Sequence, residues 1–388
     1  MNVLILGAGM YVTGRSGYGN ATILSSIAEI SKEINIRRLV IVGKSKENDY
    51  VAEAVNRINS RLGTAIHAEY LSISGSPETF LKNLNGEIKF DIGIVCLPDN
   101  LHHEYTKYLL NLKIHTQVVK PFVNKLQHAS ELSDLQEKSN VWGCVEFHKR
   151  YDEANLYTKK IYRDGQIGDI LYITVDYSQK IVIPTEIFRS WCEQTNIFQY
   201  LGVHYVDLIY FITGYLPLKL TAYGSRGILN KMGIDAYDSI NASIMWYNPA
   251  NPAMTFISQF NTNWIDPNSS SAMSDQKYKI IGTAGRIELD QKNRGVSIVN
   301  EEEKIRDINP YFSEYLYDID GKLKFTGYGY RSLRQFFDDV NSLELKKTTL
   351  SHLAAHRPGF KSSLVSVGVI ETVNQALNQP YSWIDVSL

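Results

Sequence analysis

Two short stretches of the sequence carry side chains that suit proton-transfer chemistry, and the first centres on a lysine. Lys120 follows the apolar run HTQVV and directly precedes Pro121, whose ring stiffens the backbone beside it. An ammonium group held in this way can donate a hydrogen bond to a substrate oxygen and stabilise a developing alkoxide. A lysine before a loop proline is more often exposed than catalytic, so both interpretations stay open at this point.

The second stretch, YLGVHYVDLIYF, contains Tyr200, His204 and Asp207. Residues three or four apart share one face of a helix, so the carboxylate could orient the imidazole or tune its basicity. Tyr200, one turn earlier, could donate a proton. A histidine that makes a satisfied polar contact inside an apolar helix would give the same pattern.

A glycine-rich segment follows the first apolar run, in MNVLILGAGMYVTGRSGYGN. Glycines between a strand and a helix let the backbone turn tightly and approach a pyrophosphate at the helix N-terminus. We therefore expect a dinucleotide to contact a set of residues here, namely Gly7, Gly9, Met10, Tyr11 and Gly14. A glycine-rich turn without a ligand is an equal alternative, because short glycine motifs often occur by chance.

The spacing of these glycines departs from G-x-G-x-x-G. Val12 stands where the third glycine is expected, and Gly14 comes two residues late. We predict a longer loop, after which the first helix begins with Asn20 as its N-cap.

The residues after the second apolar run bear on which dinucleotide is bound. A carboxylate usually holds the ribose 2′-hydroxyl of NAD at this position, but the chain has Lys44 and Ser45 in VGKSKEND. Since a cation and a hydroxyl suit a 2′-phosphate, we predict NADP as the preferred cofactor. NAD would be bound instead if Glu47 or Asp49 supplied the carboxylate and Lys44 were an exposed loop residue.

The elements that must position these residues alternate between strand and helix over the first 146 residues. Segments of helical length separate the apolar runs NVLILG, RRLVIVG, AIHAEYL, FDIGIVCL, HTQVV and VWGCVEF, which predicts a doubly wound parallel sheet. Ligands bind at the carboxyl ends of such strands. Candidate cofactor contacts therefore include Leu97 and Pro98 at the end of the fourth run, and Lys120 and Pro121 after the fifth.

The pattern changes after Phe147, so we predict a dinucleotide-binding domain over 1–146 and a second α/β domain over 147–388. A helix is expected over 152–163, and helical patterns return at 331–343 and 364–377. Strands are expected near 170–178, 219–224, 238–247, 254–261, 276–282 and 285–290. Several of them alternate polar and apolar residues, as strands of a sheet with one exposed face do.

The composition favours a small-molecule partner. Among 388 residues, 40 are Lys or Arg and 41 are Asp or Glu, which leaves no broad positive field for nucleic acid or anionic lipid. The three cysteines and the histidines do not cluster at ligand spacing, so no metal site is expected. No apolar window is long enough to span a bilayer and no secretory signal is visible, so a cytoplasmic location is expected.

Seven segments in this order resemble the glucose-fructose oxidoreductase, inositol dehydrogenase and rhizopine catabolism (Gfo/Idh/MocA) family: GAGM, LPDNLH, VKP, EFHKRYDEA, DGQIGDI, GVHYVD and GTAGRIELD. The resemblance covers roughly residues 1–345. It implies an N-terminal Rossmann domain and a C-terminal α/β domain whose open, mostly antiparallel sheet often forms oligomer contacts. It also implies NAD(P)-dependent oxidation or reduction of a ring hydroxyl of a sugar, a sugar derivative (including nucleotide-linked ones) or a cyclitol.

The resemblance assigns roles to single residues. Lys120 matches the lysine of the family's E-K-P motif, although Val119 replaces the glutamate. His204 matches the acid–base histidine of the D-x-x-x-H motif, although Tyr200 replaces the aspartate. Residues 194–196 read QTN where the family often has three glycines, so a differently shaped substrate loop is expected.

Further residues are candidates for contact with the cofactor or the substrate. His102 matches the family's LH motif and either lines the nicotinamide pocket or is structural. Candidate substrate contacts are His148, Arg189, Trp191 and Trp264. The indole ring of Trp264 could stack on a pyranose ring. Packing at the domain junction is an equally good explanation for both tryptophans.

These observations predict an NADP-preferring oxidoreductase. His204, helped by Lys120 and Tyr200, would take the hydroxyl proton while a hydride passes to the nicotinamide. The partner would be a small sugar-like molecule, and the resemblance implies a homodimer or homotetramer. Two alternatives are a glycoside-cleaving enzyme that uses NAD transiently and a non-catalytic dinucleotide or sugar sensor, which the missing aspartate at position 200 favours.

Overall fold

The computed structural model describes residues 1–17, 19–45, 49–302 and 304–388. The chain forms two compact units, each with its own β-sheet. The first consists of Met1–Val123, Gln127–Tyr151 and Tyr311–Ser363, and the second of Asn124–Leu126, Asp152–Pro310 and Leu364–Leu388.

Among its described residues, the first unit begins with six strands and six α-helices that alternate along most of its length. They are β1 (Asn2–Leu6), α1 (Met10–Thr13), α2 (Thr22–Ile30), β2 (Arg38–Gly43), α3 (Asp49–Leu62), β3 (Ala68–Ser72), α4 (Pro77–Ile88), β4 (Ile92–Val95), α5 (His102–Asn111), β5 (His115–Val119), α6 (Leu126–Ser139) and β6 (Gly143–Glu146).

These six strands form one parallel sheet in the order β3-β2-β1-β4-β5-β6. The predicted doubly wound sheet is thereby confirmed. Its central strands are apolar throughout because both faces are covered, and Val3–Leu6 and Ile92–Val95 are all buried. The sheet therefore holds its carboxyl-end loops on a rigid support.

The helix after β1 is broken into two pieces. Gly9 precedes the four-residue helix α1, and Gly14, with φ of 77°, ends it. The backbones of Arg15 and Gly19 then pair with each other before α2 begins at Thr22. The altered glycine spacing thus corresponds to a short helical turn followed by an inserted loop.

The prediction that Asn20 is an N-cap is wrong. Ala21 occupies the N-cap position of α2. The Asn20 side-chain amide donates instead to the Ser313 carbonyl at 2.7 Å and to Glu314 Oε2 at 3.0 Å. A segment almost 300 residues away in sequence therefore takes the side chain that local spacing assigned to the helix.

The second unit contains helix α7 (Glu153–Arg163), which Asp152 caps by accepting a hydrogen bond from the Ala154 amide. The elements that follow are β7 (Ile170–Lys180), α8 (Val203–Thr213), β8 (Leu216–Ser225), α9 (Ile228–Lys231), β9 (Ser239–Asn248), β10 (Asn251–Asp266), β11 (Ser274–Gly282), β12 (Arg286–Asp290), β13 (Val296–Asn300) and β14 (Lys304–Ile308).

Most of these strands belong to a mixed sheet whose pairs are antiparallel except for β7 with β10. One face is polar: the Asn241 amide donates to Asn261 Oδ1 at 2.8 Å, and the Asn261 amide donates to Asp176 Oδ1 at 2.9 Å. The predicted open, mostly antiparallel sheet is confirmed, together with the alternating burial of its strands.

The chain then returns to the first unit through β15 (Glu314–Tyr317), β16 (Leu323–Thr326), α10 (Tyr328–Glu344) and α11 (Leu350–His356). Phe325, Phe336 and Phe337 lie in the same apolar core as the residues of α2 and β1. A single boundary after residue 146 does not describe this arrangement, because the apolar face of α10 completes the core of the first unit.

The last helix, α12 (Phe360–Ala376), starts in the first unit and continues in the second. It is followed by β17 (Ile384–Asp385), which pairs with β8 and gives the second sheet the order β12-β11-β7-β10-β9-β8-β17. In the described parts of the chain, no helix has the length and hydrophobicity needed to cross a membrane.

Candidate functional site

The carboxyl ends of adjacent parallel strands bring most candidate residues of the first unit to one edge of the sheet. Strands β1, β4, β5 and β6 are neighbours. Their ends carry the glycine segment, Leu97 and Pro98, Lys120 and Pro121, and His148, respectively. This edge is where open parallel sheets bind ligands.

The glycine segment after β1 has the geometry that close approach of a ligand requires. Gly7 has φ of 104°, and a Cβ there would lie 2.0 Å from the Cys96 carbonyl oxygen, so only glycine fits. Gly9 is exposed, and a Cβ there would meet no protein atom within 4 Å. Val12, at the expected third glycine, is buried in the core. The backbone around Gly9 therefore faces open space.

The residues beyond β2 are held by the next strand. The Tyr70 hydroxyl donates to the Ser45 carbonyl at 2.9 Å, and the Ser72 hydroxyl donates to the Lys44 carbonyl at 3.4 Å. Lys44 and Ser45 are both exposed, and Asp49 is the first residue of α3. Glu47, the other candidate carboxylate, lies outside the described residues. The geometry therefore leaves the lysine and the serine accessible to a ribose or phosphate group.

His102 connects two of the loops at this edge. It is 1% exposed, and its Nδ1 lies 2.7 Å from the Pro121 carbonyl oxygen. Its Nε2 lies 2.8 Å from the Leu97 carbonyl oxygen. The imidazole thus links the loop after β4 to the loop after β5, which supports the structural interpretation of this residue.

Lys120 is the candidate with the most unusual environment. It is 7% exposed and joined to Pro121 by a cis peptide bond. Burial lowers the pKa of its ammonium group to about 8, although the carboxylates of Asp99 and Glu146 favour the charged form and oppose this shift. A lysine with this pKa can donate or accept a proton near neutral pH.

A buried carboxylate that the sequence analysis missed lies close by. Glu146, the last residue of β6, is 1% exposed. His148 Nδ1 lies 3.0 Å from its carboxylate, and the Tyr11 hydroxyl donates to Glu146 Oε1 at 3.2 Å. Burial and this carboxylate raise the pKa of Tyr11 well above its usual value. In the sequence, the only local sign of this buried carboxylate was a single glutamate between apolar residues in CVEF.

The side chain of His148, a candidate substrate contact, is largely surrounded by its own unit. It lies in the 3₁₀ turn directly after β6 and is 8% exposed. Its ring centroid lies 5.1 Å from that of Phe312 and 5.6 Å from that of Tyr328. The two aromatic rings fix the imidazole beside Glu146.

In the second unit the candidates Trp191, Tyr200 and Trp264 form one aromatic group. The Tyr200 ring centroid lies 6.1 Å from that of Trp191 and 6.2 Å from that of Trp264, and Phe188 packs against both Tyr200 and Trp191. Trp264 is fully buried and its indole NH donates to Gln179 Oε1 at 2.9 Å, which supports the packing interpretation for this tryptophan. Trp191 is partly exposed.

His204 follows this group by one helical turn. Tyr200 lies in a π-helical turn, Phe198–Gly202, which leads directly into α8. His204 and Asp207 both lie in α8 and are each 3% exposed. The helix therefore places an imidazole and a carboxylate in a buried environment, where both groups are shielded from water.

Arg189 lies away from the buried candidates. It is exposed, its guanidinium pairs with Glu193 at 3.0 Å, and it also donates to the Gly233 carbonyl at 3.1 Å. These contacts link the loop before α8 to the turn after α9. Across the described ranges, the His, Cys, Asp and Glu side chains form no group of three that could hold a metal ion.

The strand order 3-2-1-4-5-6 and the glycine turn after the first strand define a Rossmann domain of the dinucleotide-binding class. Residues 1–147 match the family model described as an oxidoreductase family with an NAD-binding Rossmann fold. Residues 156–288 match the model of the GFO/IDH/MocA C-terminal domain. The chain therefore belongs to the Gfo/Idh/MocA family of oxidoreductases.

Individual curated proteins match this chain only over part of its length. An uncharacterized oxidoreductase of Schizosaccharomyces pombe, C115.03, is 31% identical over 93 residues, which cover 24% of this chain and 25% of the relative. The scyllo-inositol 2-dehydrogenase (NADP(+)) IolW of Bacillus subtilis is 25% identical over 146 residues, or 37% of this chain and 40% of the relative. The chain thus matches less than half the length of either.

A solved structure with the same fold is that of scyllo-inositol dehydrogenase from Lactobacillus casei with bound NAD(H) and scyllo-inositol. The TM-score is 0.67 at 15% identity, and the match covers 99% of this chain and 98% of that one. At this identity the likeness shows the fold.

Proposed function

We propose that this protein is an NADP-preferring dehydrogenase that acts on a ring hydroxyl, or on the corresponding ketone, of a sugar, sugar derivative or cyclitol. The observation that carries the proposal is the buried Lys120, whose pKa is about 8, at the carboxyl end of β5 in a Rossmann domain. The family and the relatives that act on inositol support the substrate class.

The residues at the edge of the first sheet fit a dinucleotide. Gly7 permits the tight turn and Gly9 leaves room for a pyrophosphate against the backbone. We propose that Met10, Tyr11 and Gly14 complete this loop, with Tyr11 contributing through its backbone because its hydroxyl binds Glu146. Bound nicotinamide would supply the hydride acceptor or donor.

The preference for NADP rests on Lys44 and Ser45. Both are exposed at the end of β2, where NAD-binding domains usually carry a carboxylate. A lysine ammonium and a serine hydroxyl can both bind a 2′-phosphate. The relative IolW, which by its name uses NADP, supports this preference, whereas the Lactobacillus casei structure was solved with NAD(H).

For the chemical step we propose that His204 takes the proton from the reacting hydroxyl. Lys120 would donate a hydrogen bond to a substrate oxygen and stabilise a developing alkoxide. Tyr200 would assist as a further donor, and the partly exposed Trp191 would stack on the ring. His148 and Arg189 remain candidate substrate contacts, and Leu97, Pro98 and Pro121 candidate contacts of the nicotinamide.

The test begins with fluorescence titrations of NADPH and, separately, NADH. Tighter binding of NADPH is expected, and binding of neither would refute the dinucleotide site. Turnover of NADP is then followed with myo-inositol, scyllo-inositol, glucose, glucose 6-phosphate and UDP-glucose. Lys120→Met should lower kcat by roughly two to four orders of magnitude while NADPH affinity stays within a factor of two. Equal turnover would exclude a catalytic role for Lys120.

The same experiment separates the alternative functions. A glycoside-cleaving enzyme would consume a glycoside without net change in the cofactor, and a sensor would bind both ligands without turnover. The substitution of tyrosine for aspartate at position 200 is the observation that favours a sensor. Sedimentation analysis tests the proposed homodimer or homotetramer, and cell fractionation tests the proposed cytoplasmic location.

A further inference from the structure

The proposed chemistry assigns no role to Glu146, a buried charged group at the end of β6. A carboxylate that is 1% exposed must be compensated by hydrogen bonds or opposite charge. Its hydrogen-bonding partners include the Tyr11 hydroxyl at 3.2 Å and His148 Nδ1 at 3.0 Å. Both partners come from segments at the carboxyl edge of the sheet.

Strand register brings Glu146 close to Lys120. Strand β5 lies between β4 and β6, and Val119 is the register partner of Glu146. Lys120 is the next residue after Val119. On its other side, the turn after β4 carries Asp99, which is 4% exposed. Two buried carboxylates, one from each neighbouring strand end, therefore act on the same ammonium group.

The position of Glu146 is itself fixed by several contacts. His148 is packed against Phe312 and Tyr328, so its Nδ1 stays directed at the carboxylate. Tyr11 belongs to α1, directly after Gly9, and so connects the same carboxylate to the glycine segment. A carboxylate held in this way provides a negative charge that does not need to reorganise.

We propose that Glu146 is a positioning residue for Lys120: from the end of β6 it holds the ammonium group in place and keeps it protonated. Val119 stands where the E-K-P motif has its glutamate, and the neighbouring strand supplies a carboxylate in its place. The inference rests on the proposed function, in which Lys120 must be protonated to donate its hydrogen bond. The other ionisable groups at this position are Asp99, Cys96, Tyr11 and His148.

The first test measures the titration of Lys120 without any turnover. The free energy of unfolding in urea is measured from pH 6 to 10 for wild type and Lys120→Met, and again for both in a Glu146→Gln background. Within each pair the difference reports the Lys120 midpoint. The midpoint should lie at about 8 in the wild-type background and fall by about one pH unit with Glu146→Gln. An unchanged midpoint would overturn the proposal.

Two further variants separate charge from structure. Glu87→Gln removes an exposed carboxylate from α4 of the same unit and should leave the midpoint unchanged; an equal fall there would refute a specific effect. Val119→Glu combined with Glu146→Gln returns a carboxylate to the register partner and should move the midpoint back toward its wild-type value. No return in this folded variant would also overturn the proposal.

Turnover provides the second test. With NADP and myo-inositol, the alkaline limb of the kcat/KM profile should move to lower pH by the same amount in Glu146→Gln. At pH 8 this corresponds to a roughly fivefold loss, with NADPH affinity unchanged. A limb that does not move would count against the positioning role. If no substrate turns over, the proposed function fails while the unfolding titration still decides the role of Glu146.

Discussion

The buried state of Lys120 predicts a specific dependence of stability on pH. In the unfolded chain a lysine titrates near pH 10.4, whereas in the folded protein the pKa of Lys120 is about 8. Because the folded-state pKa is depressed, the charged lysine destabilises the native state at pH values below 8. This cost disappears as the pH rises through 8 toward the unfolded-state value.

The magnitude follows from the difference between the two pKa values. A displacement of more than two pH units corresponds to about 3 kcal/mol at pH 7, and less than 1 kcal/mol of this remains at pH 10. Lys120 is 7% exposed, so solvent screening reduces this figure little. The stability of wild type relative to Lys120→Met should therefore rise by roughly 2 to 3 kcal/mol between pH 7 and pH 10.

Urea unfolding followed by circular dichroism at pH 7 and pH 10 measures this difference. Neighbouring groups do not obscure it, because burial raises the pKa of Cys96 to about 12 and that of Tyr11 well above its usual value. Lys82→Met, at an exposed position of α4, should show no such dependence. If Lys120→Met and Lys82→Met behave alike, Lys120 is solvated and the reasoning on its environment is refuted.

Four further predictions concern the glycine segment, the ribose contact and the proton acceptor. Gly7→Ala should destabilise the protein by roughly 3 kcal/mol in urea unfolding, because its φ of 104° and the Cys96 carbonyl exclude a side chain. Gly9→Ala should change stability by less than about 0.5 kcal/mol but weaken NADPH binding at least tenfold; unchanged affinity would place the pyrophosphate elsewhere. Lys44→Ala should weaken NADPH binding about tenfold, measured by fluorescence titration, and leave NADH binding within a factor of two; equal losses would refute a 2′-phosphate contact. His204→Asn should lower kcat by roughly 10²- to 10⁴-fold without loss of NADPH affinity; full activity would exclude it as the base.

Much of the fold could be predicted because its signals are local. Strand β5 was predicted as HTQVV and spans His115–Val119, and the later helices were predicted at 331–343 and 364–377, close to their observed bounds. Buried parallel strands are continuous apolar runs, and amphipathic helices repeat every 3.6 residues, so both patterns are visible within a few residues of the chain.

The candidate site was predictable only in part. Lys120 was recognised by its place at a strand end and by the motif it resembles. Glu146 was not, since its significance depends on the pairing of β6 with β5, and a lone glutamate between apolar residues does not reveal a neighbour. Asn20 was misassigned for the same reason, because its partners at Ser313 and Glu314 are distant in sequence.

By itself, the sequence determined the class of each sheet, the position of most strands and helices, and the glycine-rich turn after the first strand. Only the tertiary structure decided that 311–363 completes the first unit, that α1 is a separate turn, and that Lys120 lies between two buried carboxylates. The physical reason is that periodicity and backbone preference act between neighbours in the chain. Burial, strand register and electrostatic fields instead depend on which distant segments pack together.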